Sequence, residues 1–136
     1  MDKFMSLALS EALIAGKCGE VPVGAVIVRG DDVIASAHNL KESTCDPTAH
    51  AEILAIREAC KKLSDWRLDG CDIYVTLEPC RMCSAAIAEA RIRRVYFGAY
   101  DNDLCAELIG NTCEVYGGID QTRCENVLKE FFKKQR

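Results

Sequence analysis

The apolar positions change period several times along the chain, and each change marks an element. Phe4, Leu7, Ala8, Ala12 and Leu13 recur at helical spacing between Lys3 and Gly16, which predicts an amphipathic helix that stops at the glycine. The β-rich runs from Val23 to Val28 and from Val33 to His38 flank the turn sequence Gly30-Asp31-Asp32 and predict a hairpin. Polar residues follow from Asn39 to Cys45. Ala51, Ile53, Leu54, Ile56 and Ala59 then supply the broad apolar face of a second helix. Asp46 suits its N-cap and Pro47 its first position, which places His50 at the helix start.

Cys71 to Leu77 is a short apolar run that fits a buried strand. Beyond Cys80 the small residues Ala85, Ala86 and Ala90 allow a helix to lie close to a sheet, and Val95 to Gly98 reads as the next strand. Strand, helix, strand implies a parallel pair with a right-handed crossover. After Asp101 the pattern weakens to a short helix around Leu104, Cys105, Leu108 and Ile109 and a last strand at Glu114 to Tyr116. Cys124, Val127, Leu128, Phe131 and Phe132 restore the helical period up to a basic tip of Lys133, Lys134 and Arg136. This order predicts an α/β architecture in three layers, with helices on both faces of a mixed five-stranded sheet and residues 1–136 forming a single domain.

Composition narrows the class. A chain of 136 residues that is 49% hydrophobic can bury one sizeable core, and its apolar runs are too short to span a bilayer, so no membrane partner is expected. The first residues lack the pattern of a secretory signal, which predicts a cytoplasmic protein with its nine cysteines reduced. Cys18, Cys60, Cys71 and Cys124 are expected to act as small buried hydrophobes. The net charge of −4 argues against sequence-blind binding to a polyanion, while leaving room for a local basic patch such as the C-terminal tip.

The candidate chemistry sits in Thr76-Leu77-Glu78-Pro79-Cys80-Arg81-Met82-Cys83, where two thiols fall on one face of a first helical turn. His50, at another helix start, supplies an imidazole. One imidazole and two thiolates suit zinc and leave a fourth tetrahedral position for water, while Glu52, two residues beyond His50, can come near without being a ligand. Two other readings compete. A closed structural zinc site would recruit Cys45 or Cys105 as a fourth ligand, and a redox dithiol would use Cys80 and Cys83 alone. Neither gives Glu52 a task.

His-x-Glu followed by Pro-Cys-x-x-Cys is a zinc deaminase signature. With Glu20-Val21-Pro22-Val23-Gly24-Ala25, His38-Asn39, Asp46-Pro47-Thr48-Ala49, Asp65-Trp66-Arg67-Leu68 and Phe97-Gly98-Ala99, it makes the chain resemble the cytidine deaminase superfamily. Within it the chain is similar to the bacterial tRNA-specific adenosine deaminases, nearly continuously from Met1 to about Asp101. The resemblance implies a cytidine-deaminase-like fold and one zinc per chain on His50, Cys80 and Cys83. It also implies Glu52 as proton shuttle, Asn39 against the target nucleoside, a tRNA anticodon loop as substrate and a homodimer as the working unit. Past Asp101 the chain departs from the family pattern. That departure keeps two alternatives open: a deaminase of a free nucleobase or nucleoside such as guanine, cytosine or a modified purine, and a non-catalytic zinc-binding module that binds nucleic acid.

Overall fold

The computed structural model describes residues 1–101 and 103–135, so Arg136 of the basic tip lies outside the described residues. Five strands form one mixed sheet in the order β2-β1-β3-β4-β5: β1 (Gly24–Arg29), β2 (Asp32–His38), β3 (Cys71–Leu77), β4 (Arg94–Ala99) and β5 (Glu114–Tyr116). β1 runs antiparallel to both β2 and β3, whereas β3, β4 and β5 are parallel. The predicted hairpin and crossover are therefore both present.

Alternation along β1 sends Ala25 and Ile27 to one face and Val26 and Val28 to the other. On the first face lie α3 (Ala51–Leu63), α4 (Arg81–Glu89) and α5 (Cys105–Ile109), packed through Ala51, Ala55, Ala59, Ile87, Cys105 and Ile109. The second face is covered by α1 (Lys3–Lys17) and α6 (Gln121–Lys134), through Met5, Ala8, Leu9 and Cys124. The three predicted layers follow from this division of the sheet's side chains.

Small residues set how closely the layers approach. A Cβ on Gly24 would fall on the Ala8 carbonyl oxygen of α1 and lie 2.8 Å from the Ala12 amide nitrogen, so only glycine permits this contact. Because both neighbours are backbone, Gly24→Ala is expected to cost about 2–3 kcal/mol, read as a lower urea midpoint with an unchanged slope. On this same face of the sheet, Tyr74, Tyr96 and Tyr116 occupy registered positions and stack with ring centroids 4.6 and 5.3 Å apart. That ladder favours one register of the parallel strands.

Several boundaries differ from expectation. α1 gains an N-cap, Asp2, whose Oδ1 accepts from the amides of Phe4 and Met5 at 2.9 Å, and it runs one residue past Gly16. Residues Lys41–Thr44 of the polar stretch form a short helix, α2. Asp46 is not a helix cap: its Oδ1 accepts from the amide and hydroxyl of Thr48 at 2.8 and 2.7 Å, closing a turn, and the helix begins only at Ala51. Cys71 and Cys124 are buried as expected, Cys60 is half-buried, and Cys18, at the C-cap of α1, is exposed.

Candidate active site at two helix starts

His50 and Cys80 occupy equivalent places in the fold. Each is the N-cap of its helix, with extended backbone (φ −79°, ψ 150° and φ −71°, ψ 178°), and neither uses its side chain as a cap. Freed from capping, both side chains turn into the space between the two helix starts, where they meet. Cys83, fully buried at the third position of α4, completes the group.

His50 Nδ1 lies 3.7 Å from Cys80 Sγ and 3.6 Å from Cys83 Sγ, and all three atoms fall within 4.8 Å of one another. Tetrahedral zinc with bonds of ~2.1 Å to nitrogen and ~2.3 Å to sulfur separates those donors by ~3.6 Å, so the residues fit the ion. Among the described residues, the group contains no fourth His, Cys, Asp or Glu ligand. Cys45 is exposed, and Cys105, although buried, has its sulfur 3.5 Å from the Ser84 hydroxyl. A closed four-ligand site is thus not assembled from the two cysteines that the sequence offered.

The site's electrostatics are unequal. The Cys80 thiol is held down to about 5, first by a hydrogen bond from the Cys83 thiol and further by the His50 ring, against the effect of burial. Cys83 is correspondingly pushed up by the same pairing and by its burial. Glu52 is 4% exposed, and burial, helped by the neighbouring Cys80, raises its carboxyl to about 7. A carboxyl in that range both takes and gives a proton at neutral pH.

Asn39 takes over the capping that His50 does not perform. Its Oδ1 accepts from the Ala51 amide at 2.8 Å and its Nδ2 donates to the Val21 carbonyl at 3.1 Å, tying the start of α3 to the loop that precedes β1. His38 next to it is engaged elsewhere, 2.7 Å from the Glu11 carboxylate on α1.

A cleft of about 540 Å³ opens over these groups, with Asn39, His50, Glu52 and Cys80 among its lining residues. Two buried carboxylates that periodicity did not single out frame it. Glu20 accepts from the amides of Glu42 and Ser43 at 3.0 and 2.7 Å and from the Ser43 hydroxyl at 2.6 Å, fixing α2 as one rim. Glu78 accepts from the amides of Asp101, Asp103 and Cys105 on the other. The only signal for either was a charged residue inside an otherwise apolar motif. Phe131 and Phe132 of α6 also reach the cleft, which joins the C-terminal helix to a site built by the opposite layer. A wider hollow of about 860 Å³ outside α3, bordered by Ile56, Cys60 and Trp66, contains neither the donor residues nor Glu52.

Comparison with known proteins agrees with this geometry. A tRNA-specific adenosine deaminase of Agrobacterium fabrum is 48% identical over 98% of this chain and 94% of its own length. A solved structure from a study of A-to-I editing by tRNA:A34 deaminases at the wobble position of transfer RNA superposes with a TM-score of 0.85, at 47% identity over 92% of this chain and 98% of that one. The guanine deaminase structure from Bacillus subtilis is 40% identical, with a TM-score of 0.70, over 79% of this chain and 70% of that chain. The model of the cytidine and deoxycytidylate deaminase zinc-binding region matches residues 1–99, the segment that contains both helix starts and all three donor side chains, and the chain belongs to that family.

Proposed function

We propose that this protein is a zinc-dependent hydrolytic deaminase that converts adenosine to inosine in a tRNA anticodon loop, with residues 1–136 acting as one catalytic domain. The observation that carries the reading is the placement of three donors at zinc spacing beside a buried Glu52 in an open cleft. The tRNA-specific adenosine deaminase relative and the tRNA:A34 deaminase structure are 48% and 47% identical over nearly the whole chain, whereas the guanine deaminases are either 40% identical over 79% of it or 23% identical over 94%.

In this reading His50, Cys80 and Cys83 hold one zinc. Bound there, the ion supplies an activated water at neutral pH. Glu52 takes the proton of the attacking water, passes it to the purine ring nitrogen, and assists protonation of the amino group that leaves as ammonia. One water is consumed, so adenosine becomes inosine with atoms and charge in balance. Asn39 keeps the start of α3 in register with the cleft wall and offers its remaining amide hydrogen to the nucleoside. An anticodon loop is a suitable source because its unpaired bases are extruded at low cost. The working unit is taken as a cytoplasmic homodimer, checked by sedimentation of the zinc-loaded protein. Among the described residues no helix is long and apolar enough to cross a membrane.

The deciding experiment is ammonia release by the zinc-loaded protein on an anticodon stem-loop carrying the target adenosine, against free adenosine, adenine, guanine and cytosine. Turnover of the stem-loop alone is expected. Turnover of a free base alone would move the protein to nucleobase deamination with the same Glu52 chemistry.

A further inference from the structure

We infer that Glu78 is a positioning residue for the substrate: its buried carboxylate accepts from the amides of Asp101, Asp103 and Cys105, fixes Asp101 in the wall of the cleft, and thereby sets how tightly a nucleotide is gripped. The inference rests on the deaminase reading and assigns a part of the site that neither the metal nor the proton transfer explains.

Glu78 directly follows β3, and its amide donates to the Ala99 carbonyl at 2.8 Å, aligning the ends of β3 and β4. Its side chain is 3% exposed. One oxygen accepts from the amides of Asp101 at 2.8 Å and Asp103 at 2.9 Å, and the other accepts from Cys105 at 3.0 Å. Asp103 has a left-handed backbone, φ 60°, which aspartate tolerates and which its amide bond to Glu78 fixes in place.

The set continues into the metal half-site. The sulfur of Cys105 accepts from the Ser84 hydroxyl, which also lies 3.3 Å from the Pro79 carbonyl oxygen, and Ser84 adjoins Cys83 on α4. Glu78, Cys80 and Asp101 all line the cleft.

Apolar packing alone anchors this wall poorly. α5 has five residues and buries only Cys105 and Ile109, while Leu104 and Leu108 are 38% and 39% exposed. A buried carboxylate satisfied by backbone amides contributes little net stability but strong geometric constraint, because each charge-assisted bond is directional. Placed between the ligand Cys80 and the wall, that constraint acts on where the substrate sits.

Two variants test this on the zinc-loaded protein. Glu78→Gln keeps the shape but replaces one acceptor oxygen by an amino group that faces backbone N–H. Glu78→Asp keeps both acceptors on a shorter arm. With the stem-loop, the Gln variant is expected to raise KM by at least ~10-fold, the worth of one charge-assisted hydrogen bond, with kcat within about threefold and one zinc per chain retained. The Asp variant should fall between it and the wild type. An unchanged KM in both zinc-loaded variants, even with a lower melting temperature, would overturn the inference and leave Glu78 as a folding staple; loss of zinc with a fall in kcat would overturn it in favour of a role in holding Cys80. Wild-type turnover of the stem-loop decides the functional reading separately. If the wild type accepts a free base instead, the same comparison of KM on that base still decides the role of Glu78.

Discussion

Replacing Glu52 by alanine is expected to lower turnover by at least ~10²-fold while the protein keeps its zinc and its fold. The carboxyl is almost fully buried at the first turn of α3, and burial together with the nearby Cys80 brings its pKa to about 7. Such a group is expensive to maintain for stability alone, since an apolar side chain would fill the same space without desolvating a charge. In the proposed reaction its value would lie in exchanging a proton near neutral pH. Glu52→Gln retains the shape but cannot carry the proton, so it should be as inactive as the alanine variant. Zinc content should remain at one per chain in both, and thermal unfolding should show no large loss. Activity within threefold of wild type in either variant would remove Glu52 from the reaction.

Cys80→Ser and His50→Ala should each lose the metal and, with it, all measurable activity. The three donors come from only two helix starts, and with His50 Nδ1 at 3.6 and 3.7 Å from the sulfurs, each would contribute one corner of the same tetrahedron. A serine hydroxyl stays protonated at neutral pH, whereas the Cys80 thiol is already held near 5 by Cys83 and His50. Removing a donor leaves two, below the number that a catalytic zinc site uses. A chelator should abolish wild-type activity and added zinc should restore it, while neither variant should recover. Both variants should remain folded, because the sheet's two apolar layers do not depend on the ion. Their melting temperatures should fall by the increment that bound zinc adds to the native state. A variant that retained a full equivalent of zinc would show that the ligand set is wrong.

Much of this protein was legible in its residues because local physics determines those parts. Period 3.6 and period 2 patterns marked the helices and strands, and Cys71 to Leu77 and Glu114 to Tyr116 are strands over the predicted residues. The spacing of Cys80 and Cys83, with His50 and Glu52, pointed to donors and a carboxylate at helix starts because helical geometry puts such positions side by side. Asp46 was misread for the same local reason: a side chain that closes a turn and one that caps a helix satisfy the same kind of orphan amide.

What the chain order could not supply was long-range pairing. Asn39 bonding Ala51, Glu20 fixing α2, Glu78 holding the amides of Asp101, Asp103 and Cys105, and α6 reaching into a cleft built by the opposite layer all join residues far apart in sequence. A buried carboxylate leaves no periodic trace, since its partners are backbone amides that every residue carries. The sequence by itself singled out three side chains that converge, and the chemistry they suit, through residue type and helical spacing. Only the tertiary structure decided which walls enclose them, because that depends on where strand order and layer packing bring distant amides to meet Glu20 and Glu78.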